Sequence, residues 1–191
     1  YISNASTGRM GYALAKAVLE SGHEVTLISA NVNIEVPVGA DVVSVVSAGE
    51  MFEAVRERFE DCGCLIMAAA VSDYRPASVS EVKMKKSGDE LVLKLKPTRD
   101  ILKWAGENKV HQFLVGFALE DRELFERAEG KMREKNLDMI VANRPGAIGS
   151  ASSEVFVKFV GADWLEPGES DKPSHAVSLV SMILSRIRRN G

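Results

Sequence analysis

The chain has 191 residues, enough for one domain with a sizeable buried core, and its 46% hydrophobic and 27% charged residues are ordinary for a globular protein. A formal net charge of −3 argues against a general nucleic-acid binder, which is basic overall, while leaving room for a local basic pocket. No apolar run approaches ~18 residues, so neither a membrane-spanning helix nor a signal peptide is expected.

The chain opens at Tyr1 without a methionine and runs straight into a loop, so it reads as a fragment or as a chain whose first residues are missing. Residues 11–19 have a helical pattern, ended by Ser21 and Gly22. Residues 23–29 (HEVTLIS) read as a buried strand, and 41–46 as another. Ser47 and Glu50 form a capping box ahead of a helix at 51–59. Cys62 and Cys64 stand one residue apart at the start of an apolar strand over 65–71. Two cysteines cannot hold zinc alone, and C-x-C is not the redox spacing, so they read as reduced thiols near the core of a cytoplasmic protein.

Alternation at 82–86 and 91–96 around Ser87-Gly88-Asp89 predicts a hairpin. A short helix starts at Asp100 and runs to Gly106, with a strand at 113–118. A charged helix at 123–135 and a strand at 137–142 follow. Residues 145–153 are a loop of small residues, 155–160 a strand carrying Lys158, and 174–189 a closing helix whose arginines complement its dipole. Strand–helix alternation implies an α/β fold with a mostly parallel sheet and helices on both faces. Ligands in such folds sit at the carboxyl ends of the strands.

The opening segment, 1–11, is a glycine-containing loop at a helix start, where N–H groups and the helix dipole attract phosphate. Gly8 and Gly11 allow close approach, and Ser6 and Thr7 can cap the helix or donate to phosphate. The same pattern also serves as ordinary helix-start chemistry. A dinucleotide-binding Rossmann oxidoreductase is the rival reading, but the spacing is Gly-x-x-Gly-x-Ala and the second strand ends at Ser29-Ala30-Asn31, with no acid for a ribose. Tyr12 and Lys16 have the Tyr-x-x-x-Lys spacing of short-chain dehydrogenases, yet lie too early in the chain for that role.

Residues 68–76 (AAAVSDYRP) place three alanines at a strand end, leaving room for a ligand, with Asp73 just beyond it; tight packing and an Asp-initiated turn explain the stretch equally. Lys83 and Lys85 share a strand face, which suits a solvated edge or an arm that brings ammonium groups to phosphate. Lys131 and Lys135 share a helix face, either for salt bridges to Glu129 and Glu134 or for an anion. Phe117 lies near a strand end, as a core aromatic or as a platform for a base.

Taken together, YISNASTGRMG at 1–11, AAAVSDYRP at 68–76, KMKK at 83–86, PTRDIL at 97–102, GFALE at 116–120 and KNLDMIVAN at 135–143 resemble the phosphopantothenoylcysteine synthetase family, in order and at compatible spacings over nearly the whole chain. The resemblance implies a three-layer, Rossmann-like fold with a β-hairpin flap, and a single synthetase domain over 1–191. The family usually has a strand and a Gly-Pro-Thr segment before the position of Tyr1, so that strand is expected to be missing here. It further implies an acid–amine ligase of coenzyme A biosynthesis: 4′-phosphopantothenate is activated by CTP (ATP in eukaryotic members) with Mg2+, and L-cysteine then takes the acyl group.

By position, the resemblance assigns catalytic roles to Asn4 and Lys83. It assigns nucleotide binding to Ser6, Gly8, Gly11, Ala69, Asp73, Lys83, the backbone of Arg99, Asp100, Ile101 and Leu102, and Phe117, Lys131 and Lys135. Substrate contacts fall on Asn4, Ala69, Ala70, Asp73 and Lys85, and metal ligands are unassigned. The loop at 146–153 (GAIGSASS) departs from a family loop that commonly carries Phe and Asn. A homodimer, and fusion to or association with a flavin-dependent decarboxylase, complete the expectation, with no nucleic-acid or membrane partner.

Overall fold

The computed structural model describes residues 4, 6–30, 32–78, 82, 90–144 and 152–190. Gly8 sits at φ 72°, a left-handed conformation that favours glycine, and opens helix α1 (Arg9–Glu20). Gly22, at φ 83°, lies just past its end and lets the chain turn back. Strands β1 (Thr26–Ala30) and β2 (Asp41–Val45) pair in parallel. Helix α2 (Ala48–Arg58) starts at Ser47, whose hydroxyl oxygen accepts the Glu50 N–H at 3.2 Å. The Glu50 carboxylate reaches back to the Val46 N–H at 2.9 Å, so the expected capping box is present but shifted by one residue on its return bond.

Strand β3 (Cys64–Met67) is followed by β4 (Tyr74–Pro76) and β5 (Leu95–Pro97), which pair with each other in antiparallel register. Asp100 caps α3 (Ile101–Asn108) by accepting the Lys103 N–H at 3.0 Å. Strand β6 (Phe113–Leu119), helix α4 (Leu124–Glu134) and strand β7 (Met139–Asn143) follow. Strands β8 (Ser152–Glu154), β9 (Phe156–Phe159) and β10 (Glu169–Asp171) lead to the closing helix α5 (Lys172–Asn190).

The main sheet runs β3-β6-β7-β9, parallel in its first three strands and antiparallel at β9. Side chains alternate across it. Phe113, Val115, Met139 and Val141 pack with Leu14 and Ala17 of α1 and with Leu179, Val180 and Ile183 of α5. Leu114, Ala118, Ile140 and Ala142 pack on the other face with Leu102 and Ala105 of α3 and with Ala128 and Met132 of α4. Each fully buried aliphatic side chain here contributes about 1.5–3 kcal/mol. Met51, Phe52 and Val55 of α2 bridge β1–β2 to β3 by packing on Ile28, Val43, Leu65 and Met67 together. The three-layer α/β expectation therefore holds.

Three local expectations are corrected. The strand read over 65–71 ends at Met67, where its pairing with β6 ends, and its side chains are half-buried rather than fully enclosed. The run 91–96 is strand only from Leu95 and pairs with 74–76; most of its expected partner, 82–86, lies outside the described residues. Ser152 and Ser153, read as loop, pair with Asp171 and Ser170.

Both cysteines are free, and burial, with the neighbouring Cys62 second, pushes the Cys64 thiol up to about 12, which suits an inert core position. Among the described residues no helix is long and apolar enough to cross a membrane.

Candidate functional site

Several of the predicted residues lie near the ends of β3 and β6. Gly11, in the first turn of α1, lies over Ala68 just past β3, with only 4.0 Å between an added Cβ and the Ala68 Cβ. The cap position of α1 is Gly8, so no side chain closes the helix start, and the Gly8 N–H itself meets Ser6 Oγ at 3.4 Å. Asn4 crosses to the β3 end: its side-chain amide donates to the carbonyls of Val71 (3.1 Å) and Ala70 (3.4 Å). Ala69 and Ala70 are exposed beside it.

The turn after β3 is tied to the start of α3 by Thr98. Its N–H donates to the Asp73 carbonyl at 2.9 Å and its hydroxyl to the Ser72 carbonyl at 2.6 Å. This places Asp73 close enough to Lys131 for their charges to interact. Lys131 Nζ donates to the Phe117 carbonyl at 2.6 Å. Burial, and then the charge of Lys135, press its pKa below the ordinary lysine value, against the pull of Glu120, Asp100 and Asp73.

Lys135 Nζ lies 2.7 Å from the Asp100 carboxylate. Burial works against the Asp100 charge, but the hydrogen bonds from Lys135 and the Lys103 N–H, with the lysine charges, outweigh it and hold its pKa below the ordinary value. Two cations, a glycine-opened helix start and a donor amide thus face the same strand ends, an arrangement suited to anion recognition.

Other predicted residues fall differently. Ile101 and Leu102 are buried in the core, so only their backbone remains for a ligand. The Phe117 ring is half-buried against the α1–α5 side of the core. Arg99 turns towards α2: its guanidinium sits 4.8 Å from the Phe52 ring centre and 3.6 Å from Glu53. Lys83 and Lys85 lie outside the described residues.

Tyr12 is buried with its hydroxyl 3.1 Å from Ser29 Oγ, while Lys16 is exposed beside Glu20 at 3.7 Å; this is the ordinary partnering of a packed helix. Thr98 stood in a quoted motif without a role, because nothing in linear spacing reveals bonds to a turn 26 residues away. Among the described residues no group of three or more His, Cys, Asp or Glu side chains is placed to hold a metal. A cavity of about 700 Å³ lies elsewhere, between α1, residues 34–38 and the start of α5.

Fold and site together define a doubly wound α/β domain whose charged residues gather at the carboxyl ends of parallel strands. The chain belongs to the family described as the DNA/pantothenate metabolism flavoprotein C-terminal domain, which it matches over residues 1–186. It is 45% identical over 151 residues to the coenzyme A biosynthesis bifunctional protein CoaBC of Bacillus subtilis, covering 78% of this chain and 37% of that protein. The CoaBC of Haemophilus influenzae is 38% identical over 192 residues, covering 99% of this chain and 48% of that protein. The chain thus spans less than half the length of these curated relatives. The crystal structure of a CoaBC C-terminal domain superposes with a TM-score of 0.84 at 34% identity, covering 96% of this chain and 85% of that one.

Proposed function

We propose that this chain is the ligase that joins 4′-phosphopantothenate to L-cysteine in coenzyme A biosynthesis, through an acyl-nucleotide made from CTP or ATP. The observation that carries the reading is the gathering of Lys131, Lys135 and Asp100 at the strand ends towards which Asn4 and the α1 start also face. The names of the relatives point the same way.

In this reading the phosphopantothenate carboxylate attacks the α-phosphorus and pyrophosphate leaves. The cysteine amine then attacks the acyl carbon, the nucleoside monophosphate leaves, and the amine's proton is lost to solvent. Lys131, Lys135 and the α1 N–H groups hold the triphosphate and offset the charge that grows as pyrophosphate departs. Asn4 exchanges a backbone carbonyl for the acyl carbonyl, donating where negative charge develops. Lys83 is assigned to the same phosphate chemistry, and Lys85 to the acid substrate with Ala69, Ala70 and Asp73. Ser6, Gly8 and Gly11 line the phosphate path, and the backbone of 99–102 with Phe117 borders the base.

Were magnesium bound with the nucleotide, the triphosphate oxygens and a carboxylate such as Asp73 would hold it, oxygen donors that suit a hard cation. Its chemistry there is charge neutralisation on the phosphates. The setting is a cytoplasmic homodimer, joined to a flavin-dependent decarboxylase as the bifunctional names of the relatives suggest.

Asn4→Asp in the full-length protein tests the mechanism. Mass spectrometry of a quenched reaction with labelled CTP and phosphopantothenate should show the acyl-nucleotide accumulating. Wild-type protein that releases no pyrophosphate from CTP or ATP with phosphopantothenate and magnesium would sink the reading.

A further inference from the structure

Helix α3 meets the end of α4 at a distance that excludes any side chain. A Cβ built on Gly106 would stand 1.9 Å from the Lys135 carbonyl oxygen, 2.7 Å from its carbonyl carbon and 3.3 Å from Asn136 Cβ. The atoms it would strike are backbone, which cannot swing aside. Asn136 locks the contact: it turns the chain at φ 50° and donates its side-chain amide to the Gly106 carbonyl at 2.9 Å. Its own carbonyl accepts Lys109 Nζ at 2.9 Å, and that ammonium also holds both Asp138 carboxylate oxygens. At the opposite end of α3, Asp100 holds Lys135 Nζ at 2.7 Å. Lys135 is therefore gripped by one helix at two points, through its backbone at Gly106 and through its ammonium at Asp100. Lys131 lies one turn earlier on the same face of α4, with its ammonium on the Phe117 carbonyl.

We infer that Gly106, with Asn136, is a positioning residue for triphosphate recognition: it touches no substrate and acts by setting where α4 delivers Lys135. The inference rests on the reading of that lysine pair as the triphosphate site. A methyl at 106 needs the end of α4 to retreat by roughly 1.5 Å to restore ordinary contact, and a misplacement of about 1 Å can cost on the order of 100-fold at a site built for one geometry. A glycine inside a helix otherwise only lowers helix stability, so replacing it with alanine would be expected to help if packing did not forbid it.

The test uses the full-length protein and four variants: Gly106→Ala, Asn136→Gly, Lys135→Met and Gly106→Ala combined with Lys135→Met. CTP and ATP affinity is measured by calorimetry, with KM for each substrate and Tm alongside. Gly106→Ala should weaken nucleotide binding by about 10-fold or more while KM for cysteine moves by less than about twofold. In the Lys135→Met background the same substitution should add no more than about twofold, because residues acting through one group are not additive.

Should Gly106→Ala fail to fold, Asn136→Gly decides. It keeps the left-handed turn, removes the amide bond to Gly106, and should weaken nucleotide binding several-fold. Nucleotide affinity unchanged in Gly106→Ala despite a lower Tm overturns the inference, as do losses that multiply in the double variant. Wild-type protein that binds neither nucleotide, or a Lys135→Met variant that binds as wild type, overturns the lysine-pair reading beneath it, and is told apart from the other outcomes because it does not involve position 106.

Discussion

At the scale of single residues, the Lys131 ammonium is sensitive to pH. Burial and the neighbouring Lys135 lower its pKa from the ordinary lysine value. The folded protein therefore releases that proton at lower pH than the unfolded chain, for which about 10.4 applies. Below the folded pKa the buried charge costs stability; as pH rises towards the unfolded value, this cost is relieved. Triphosphate binding has the opposite demand, since it needs the charge. Nucleotide affinity should fall as pH rises into the alkaline range, sooner than an unperturbed lysine would allow. Lys131→Arg, always protonated, should flatten that fall, and Lys131→Met should weaken binding by about 10-fold or more at neutral pH, the scale of a charge-assisted hydrogen bond. Calorimetric titration of CTP between neutral and alkaline pH checks both outcomes. A wild-type profile that stays flat to the ordinary lysine range would remove Lys131 from the site.

At the scale of elements, the site depends on segments held together across long sequence distances. Thr98 joins the turn after β3 to the start of α3 through bonds to the Ser72 and Asp73 carbonyls. Thr98→Val keeps the shape and leaves the Ser72 carbonyl without its hydroxyl donor, a loss of about 1–3 kcal/mol for a buried group, less where water reaches it. Tm should drop by several degrees and KM for both nucleotide and phosphopantothenate should rise, since Asp73 and Asp100 no longer hold their spacing. A variant with wild-type kinetic constants would show that the staple serves the fold only.

The same separation of distances explains what could be read from the chain. The Asp100 and Ser47 caps, and the Gly22 stop, were legible because each is a bond or a conformation within three or four residues. The lysine pair was legible as a shared helix face. Its partners were not: Lys135 could equally have met Glu129 or Glu134, and only the packing of α3 on α4 gives it Asp100. The motif spoke for the backbone of Arg99, while the capture of its side chain by an aromatic ring on α2 had no signal in the linear spacing. Gly106 read only as the end of a short helix, because its contact with the Lys135 carbonyl spans 29 residues and leaves no mark in linear spacing.

At the scale of the whole molecule, the β4–β5 ribbon stands apart from the main sheet as a two-stranded pair. Among the described residues its ladder has three residue pairs, and a two-stranded ribbon is marginal in water by itself. The segment that leads into β5 is apolar and exposed (Val92 82%, Leu91 69% and Leu93 53%), and Tyr74 of β4 and Leu95 of β5 are exposed as well. Scattered surface leucines need no explanation, but an unbroken run from Leu91 to Leu93 continuing to Leu95 on a thin arm is the pattern of an interface. The homodimer proposed above would place a second copy of the chain there, since a ribbon can pair with its own image across a two-fold axis and bury the same patch on both sides. The arm also leads from the turn that carries Asp73 and returns at Thr98, so its docking would steady the site itself.

Sedimentation equilibrium of the 191-residue chain should then give the mass of a dimer, with a Tm that rises with protein concentration. Val92→Asp together with Leu93→Asp should shift the equilibrium towards monomer by about 100-fold or more, as expected for charges placed in a desolvated interface, and ligase turnover should fall with it. A chain that sediments as a monomer at every concentration, or a double variant that remains dimeric, would assign the exposed arm to some other surface.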